Sequence, residues 1–555
     1  MRLMGRAGRF AGVSLVVGLL LAGCDKGPDR NQVATDLQKG VEDYLTRLEG
    51  PQAKRILSHA DVKVTPQQDA GYLVAINGVK IGDATDGYLD VGTVSYVVTP
   101  KDDKTYDASK LTLAGDMAVK TADGQPAGAV KLTTKAFSGT WLRAAENFTK
   151  LDAQFGDLVI SDPQHGDNIK IAGTAFNIDG TDKGNGVWDQ TGKLALTGFD
   201  IAKDEDGHLT IKEIDVTSGL QNLKLLDYTA KLRALRDAMA KQAAAQPAAG
   251  AAAPAADGQN ANTASQNTDN SQNAGNAQAG DTSNQAGGNA AAGSDGSTPA
   301  NPTADATEAA FKDFANALPT LFSGVNSDFH VAGISYQAAD PNESFDLGKA
   351  GITFSASGFD QQKVSLKFSI DHDALAVHGP AAQNELVQAL LPANGALVIS
   401  LNNVPSKDLA SLCANLAPFL AHPDQANMEV QSAVIMAQLQ QLLQQDGVSL
   451  KIEPSHLTSQ ATNLDATGDF SIQATATHGA VGSLNVAITG LDQVIALAQK
   501  QSEQDPEAAQ YAAMAQALLT YADRQQGTDG KAVDKFKIDV PQSGELTVNG
   551  KPLQF

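Results

Sequence analysis

Two cysteines, two tryptophans and nine histidines in 555 residues leave little of the material from which most reactive centres are made. No Gly-x-Ser-x-Gly elbow, Ser-x-x-Lys, His-Glu-x-x-His, Walker loop or dinucleotide fingerprint occurs, so no nucleophile, metalloprotease or nucleotide motif is present, and no cofactor is implied. The expectation is a protein that is not an enzyme. Positive charge is also scarce: 41 Lys and Arg stand against 63 Asp and Glu, for a formal net charge of −22. A chain so acidic is repelled by nucleic acid and by anionic headgroups, which excludes a nucleic-acid partner or a basic membrane patch. Long apolar runs are missing too. The most apolar stretch, Phe10 to Ala22, is too short for a good bilayer span.

That short stretch has a different use. Arg2, Arg6 and Arg9 precede it, and Leu21-Ala22-Gly23-Cys24 closes it. A positive start, an apolar core and small residues before a cut form a signal-peptide layout. The tetrapeptide resembles the bacterial lipobox. In lipoproteins of that type cleavage precedes the cysteine, whose thiol and new amino group are acylated. The resemblance implies residues 1–23 as a signal peptide, Cys24 as the lipidation site, and a mature chain held to a membrane on its periplasmic side. Asp25 resembles the retention signal of inner-membrane lipoproteins, which favours that membrane over the outer one. Loss of three arginines takes the formal charge from −22 to −25. Acyl chains, at about 0.8 kcal/mol per buried methylene, then supply the membrane contact. With Cys24 acylated, Cys413 has no disulfide partner and reads as a buried thiol on an apolar helix face.

The length calls for more than one core. From Asn31 to Gly50, Val33, Leu37, Val41, Tyr44, Leu45 and Leu48 recur at helical spacing and predict an amphipathic helix that packs on the strand-rich region after it. Between about Asp61 and Val216 short alternating runs are divided by turn dipeptides such as Asn77-Gly78 and Asp179-Gly180, which predicts an antiparallel sheet with one face wet and the other covered. Leu225, Tyr228, Leu232, Leu235 and Met239 predict a helix laid on that sheet. From Ala243 to Ala304 the composition falls to Ala, Gly, Asn, Gln, Ser, Thr, Asp and Pro; no Lys, Arg, aromatic or large aliphatic residue lies between Lys241 and Phe311. Such a segment cannot bury enough surface to fold and reads as a disordered tether.

After it come a helix carrying Phe311, Phe314, Leu318 and Leu321, bent at Pro319, and more alternating runs. A helical middle extends from Ser406 to Gln445. Asp505, Pro506 and Gly527 punctuate one further helix, and Glu545 to Val548 forms a last strand before Asn549-Gly550. The fold expected is α+β: two domains of antiparallel sheet with flanking helices, 24–242 and 305–555, joined by the linker 243–304. The Asn-Gly strand ends near 77 and 549 echo each other, as duplicated domains or a common hairpin turn would. Leu318-Pro319-Thr320-Leu321-Phe322, Leu450-Lys451-Ile452-Glu453-Pro454, Gly482-Ser483-Leu484-Asn485-Val486 and Val548-Asn549-Gly550-Lys551-Pro552-Leu553 resemble the YdgA-like family of bacterial envelope proteins. That family is of unknown function and its members usually lack a lipobox, so the resemblance implies no activity.

Two groups of polar residues could hold a metal. Asp204, Asp206, Gly207 and Glu213 match the third, fifth, sixth and twelfth positions of an EF-hand loop. Ala202 stands at the first position, however, and the flanks read as strands, so an acidic hairpin turn is the better reading. Asp371, His372, Asp373 and His378 lie close in sequence, but a solvated strand end accounts for them. The function expected is a lipid-anchored periplasmic binding or scaffold protein whose partner is an apolar ligand or another envelope protein. A spacer or assembly factor without a small ligand is the alternative, and a hydrolase whose residues converge only in space is a further one.

Overall fold

The computed structural model describes residues 29–49, 57–83, 87–162, 167–203, 207–245, 302–340, 342–417, 437–443, 447–502, 506–527 and 530–553. The lipobox and most of the linker lie outside them. Helix α1 (Arg30–Glu49) buries the expected stripe: Leu37, Val41 and Leu45 are withdrawn from solvent. They pack into one core with Val74, Ile76, Leu89, Val94 and Tyr96. Arg30 anchors the start of the helix, donating to the Gly71 carbonyl at 3.0 Å while lying over the Tyr72 ring. None of the described helices is long and apolar enough to cross a membrane.

The strands of the first half are β1 (Leu57–Ser58), β2 (Asp61–Pro66), β3 (Tyr72–Asp83), β4 (Gly87–Pro100), β5 (Thr105–Thr112), β6 (Asp116–Lys120), β7 (Pro126–Leu142), β8 (Asn147–Asp162), β9 (Asp167–Gly184), β10 (Val187–Lys203) and β11 (Gly207–Lys224). Helices α2 (Leu225–Ala245) and α3 (Pro302–Leu321) come next, with Pro319 accommodated in the last turn of α3. Then come β12 (Gly324–Gln337), β13 (Ser344–Ser357), β14 (Lys363–His378), α4 (Glu385–Leu390), β15 (Pro392–Pro405) and α5 (Ser406–Ala414). A short helix over 437–443 leads to β16 (Ser449–Ser459), β17 (Asn463–Ile472) and β18 (Ala480–Thr489). The chain ends with α6 (Leu491–Gln501), α7 (Pro506–Leu519), β19 (Asp523–Gln526), β20 (Ala532–Val540), β21 (Thr547–Val548) and β22 (Lys551–Pro552).

All the pairings are antiparallel, and almost all join strands that are neighbours in sequence. β1 and β2 share one edge of β3, β5 and β6 together bridge β4 to β7, and β18 pairs β20 directly. At about 4.8 Å per strand, the run from β3 to β20 extends roughly 70 Å along the hydrogen-bonding direction.

The sheet does not stop where the linker composition begins. β11 pairs β12 from His208↔Gln337 to Gln221↔Gly324. Strands expected to belong to two separate sheets are therefore neighbours in one. Helices α2 and α3 pack beside this seam: Lys231 Nζ lies 2.6 Å from Asp313 Oδ2, and the Tyr228 and Phe314 rings are 6.0 Å apart. Leu223, Leu225, Leu321 and Phe322 are buried in the core they share. The linker thus leaves from one helix of a packed pair and returns to the other.

A second regularity crosses the strands. Asp157, Gly198, Gly333 and Ala374 have φ of 54°, 64°, 62° and 54°. They sit on β8, β10, β12 and β14, each at the position where the pairing skips one residue on both partners. A Cβ on Gly198 would fall 2.8 Å from that of Ala172, one on Gly333 2.7 Å from that of Lys212, and one on Gly348 2.8 Å from that of Ala374. The left-handed residues and the partners they face therefore form a line across seven strands. On each strand the apolar positions change parity at this line, as from Leu209 and Ile211 to Ile214 and Val216 on β11, and from Phe329 and Val331 to Ile334 and Tyr336 on β12.

Three local expectations differ from the structure. Asp179-Gly180 is not a turn; it lies inside β9, where Asp179 stands opposite Thr191 and Gly180 opposite Gln190. Asn77-Gly78 is not a hairpin turn; it lies inside β3, where the register with β4 shifts and Gly78 has φ 62°. Asn549-Gly550 does make the turn between β21 and β22, with φ positive at both residues as a type I′ turn requires. The sequence echo therefore covers two different conformations and gives no support to a duplication. The helix expected up to Gly527 ends at Leu519, because Asp523–Gln526 pairs with β20 and Arg524 is engaged there by Asp534.

Candidate functional site

Antiparallel partners directly opposite each other share a face, so the register identifies what each face presents. One row runs Phe176, Leu194, Val216, Phe329, Ile352, Ile370 and Leu397 across β9 to β15. Two residues along, a parallel row runs Phe354, Phe368, Ile399 and Ile452 across β13 to β16. Phe329, Ile352, Phe354, Phe368, Ile370 and Leu397 are 38–45% exposed, which is far more than a covered sheet face allows. On a third row His372 and Leu457 close over Gly395, whose added Cβ would meet them at 2.7 and 2.8 Å. From β9 to β16 the strip is about 34 Å long at ~4.8 Å per strand.

The helices flank this strip rather than cover it. Leu220, Val325 and Leu366 have the parity of Val216, Phe329 and Ile370 on their strands, and they pack with α2 and α3 residues including Tyr228, Phe314 and Leu318. Leu401 of the same end packs with Leu409, Leu412 and Leu442. The expectation for 61–216, one face wet and the other covered, holds on β2–β8, whose apolar residues pack with α1, whereas the middle of the apolar face of β12–β15 is exposed. At one end the strip runs into the α1 core, against which Phe176 and Ile178 pack.

The opposite face is polar and cross-linked. Glu453 accepts from Lys367 Nζ and from Ser400 Oγ, each at 2.5 Å, and those bonds, that of Lys367 foremost, hold its carboxyl below the usual carboxylate range. Lys193 faces Asp215 at 3.4 Å and Lys349 faces Asp371 at 3.7 Å. Gly351 separates His330 from Asp371: a Cβ there would stand 2.6 Å from both His330 Nδ1 and Asp371 Oδ1.

The residues singled out from sequence do not converge. Asp204 and Asp206 lie outside the described residues, but β10 and β11 flank them as strands, where an EF-hand needs helices. Glu213 is six strand residues beyond Gly207, roughly 20 Å at ~3.4 Å each, and pairs Thr197 and Ala332. Asp371 and His372 point to opposite faces as consecutive strand residues. His372 Nε2 is 3.0 Å from the Pro392 carbonyl on the strip side, and His378 faces Asp346 at 3.7 Å. Among the described residues no group of three or more His, Cys, Asp or Glu could hold a metal. Cys413 lies on α5, half-buried, and burial pushes its thiol pKa up, in keeping with an unreactive side chain.

Sequence reasoning missed the strip, although its signal was present. That signal is the alternation of Ile352-x-Phe354 and Phe368-x-Ile370, which puts these side chains on one face; residues 418–436 of the expected helical middle lie outside the described residues. Compared with known proteins, the chain matches no family model, no curated protein and no solved structure.

Proposed function

We propose that this protein is a lipid-anchored protein of the bacterial envelope, attached through Cys24 on the periplasmic side, that binds the acyl chains of lipids along the open strip of its sheet. The observation that carries the reading is the uncovered row from Phe329 to Leu397, flanked by helices and backed by a polar face. That exposed row crosses four strands, about 14 Å at ~4.8 Å per strand, close to the ~15 Å that one leaflet of acyl chains occupies in a bilayer with a core of ~30 Å. Each methylene withdrawn from water on such a surface contributes about 0.8 kcal/mol, so an acyl chain gains there what a small polar ligand cannot. The acidic net charge fits a ligand recognised by its apolar part. Binding without catalysis is the role proposed, and the linker tethers no free domain in this reading.

The test uses residues 24–555 with Cys24→Ser behind a cleavable secretory signal. Native mass spectrometry of the soluble protein is expected to show a lipid adduct, which Ile352→Asp with Ile370→Asp removes while circular dichroism stays unchanged. A bare mass for the parent protein rejects acyl-chain binding. Fractionation of cells tests the anchor: wild type is expected with membranes and Cys24→Ser in the soluble periplasm. Retention of the variant in the membrane fraction rejects acylation at Cys24.

A further inference from the structure

We infer that the far end of the strip leads into a seat for the terminal part of one acyl chain, in a cavity between helix 437–443 and strands β16–β18. This inference rests on the reading of the strip as an acyl-chain surface, and it names where the methyl end of the chain lies.

The cavity has a volume of about 620 Å³. Its lining includes Leu439 and Leu443 of the helix, Leu450 of β16, Phe470 and Ile472 of β17, with His478 at the β17–β18 turn. At roughly 30 Å³ for each water-sized group, the volume accommodates about twenty methylenes. His478 is already engaged, its Nε2 lying 3.2 Å from the Gly544 carbonyl; Gln440 is the other polar residue of the lining, and the remaining side chains are apolar.

The cavity is continuous with the strip through particular side chains. Leu450 stands opposite Phe470, and two residues along the same strands Ile452 stands opposite Gly468. Ile452 is the end of the row that begins at Phe354. The Phe470 ring spans the junction. A Cβ on Gly468 would meet its Cε2 at 2.9 Å, and one on Gly482 would meet its Cδ1 at 2.9 Å. Two glycines on neighbouring rows thus make the space in which this ring lies, between the cavity on one side and Ile452 on the other. A chain lying along Phe368, Ile399 and Ile452 passes beside Phe470 into the cavity without crossing a polar group of the opposite face.

Two palmitate probes decide the matter, one with a photoreactive diazirine at the methyl end and one with it near the carboxyl group. Both are irradiated with the soluble Cys24→Ser protein and the adducts are mapped by peptide mass spectrometry. The methyl-end probe is expected to label peptides containing Leu443, Leu450 or Ile472. The carboxyl-end probe is expected to label the row from Phe354 to Ile399. Leu450→Trp, which fills the cavity, should reduce methyl-end labelling there at least tenfold; Ile472→Phe serves the same purpose should the first variant not fold. Labelling of the strip alone by both probes overturns the seat and leaves acyl binding on the strip intact. Cavity labelling undiminished in both filled variants also overturns it. No labelling at any site rejects both readings. Mass spectrometry of a solvent extract of the protein tells a phospholipid from a free fatty acid as the source of the chain.

Discussion

Val216 of β11 stands directly opposite Phe329 of β12, within the run of pairing that makes the two halves of the chain one sheet. The residues between them in sequence include a stretch with no side chain able to form a core, so the contact brings together strands that composition had set apart. Main-chain bonds from His208 to Gln221 and the α2–α3 packing act together at this seam. A specific protease site placed within 250–290 should therefore be cut without separating the halves. Gel filtration after cleavage should show both fragments in one peak at the elution volume of the intact protein. Two peaks in native buffer would mean that the seam does not hold them.

The line of left-handed residues makes a second prediction. Gly333 has φ 62° and faces the Lys212 side chain, so Gly333→Val adds a Cβ 2.7 Å from the Lys212 Cβ in a backbone region that β-branched residues avoid. The left-handed conformation alone costs an L-residue roughly 1–2 kcal/mol, and the contact adds to it. Gly479→Ala is the control for conformation without contact, since φ is 74° and nothing lies within 4 Å of the added atom. Urea unfolding should place Gly333→Val below Gly479→Ala in stability. Equal values would show that the line tolerates a side chain.

The same line explains what could and could not be read in the sequence. The alternation that predicts strands on both sides of the linker holds, as in β13 and β14, because period-two patterning survives wherever one face is apolar. The phase slip was also written there: Leu209-x-Ile211 becomes Ile214-x-Val216, and Phe329-x-Val331 becomes Ile334-x-Tyr336. Within any one strand it looks like imperfect alternation; only the register shows the slips aligned. The helix stripe of α1 is legible because that helix buries its own face; on α2 Leu225 is buried, Tyr228, Leu232 and Leu235 are half-buried, and Met239 is exposed. The open strip was not, since patterning says which residues share a face and is silent on whether a second layer reaches it. Asn77-Gly78 misled because a left-handed glycine serves a register shift within a strand as well as a turn.

Glu453 sets a pH dependence. Lys367 and Ser400 hold its carboxyl below the ordinary range, so the folded pKa lies under the unfolded value of about 4.3. A carboxylate lowered in this way stabilises the fold fully above the unfolded pKa, and the contribution is lost as pH falls through the folded one. Asp189, lowered by the Asn222 backbone N–H and by Lys183, acts in the same direction. Thermal unfolding followed by circular dichroism should show a falling Tm below about pH 4. Glu453→Gln should lower the Tm at neutral pH and flatten the acid limb of the profile. An acid limb identical to wild type would exclude Glu453 as a contributor.

Arg524 and Asp534 make the strongest local prediction. Asp534 is fully buried, and the Arg524 guanidinium meets it with Nε at 2.7 Å and Nη2 at 3.1 Å, while Nη2 also donates to Asp492 at 2.9 Å. These carboxylates, Asp534 first, raise the arginine pKa further above its already high value. The pair fixes β19 against β20 and ties both to the start of α6. Removing the cation alone leaves the buried Asp534 carboxylate without its partner, a change that costs less than the ~3–5 kcal/mol of a fully buried pair because the guanidinium side is nearly half exposed to water. Arg524→Met should therefore destabilise, and Arg524→Lys should fall between it and wild type, because an ammonium cannot reproduce the paired donors of the guanidinium. Asp492→Asn, which loses an exposed partner, should cost about 1 kcal/mol or less. The double variant Arg524→Met with Asp534→Leu should regain much of the loss, since a buried ion pair contributes little over apolar side chains of similar size. Urea titrations of the four variants separate these cases. A double variant no more stable than Arg524→Met would mean that Asp534 holds β20 through contacts beyond its charge.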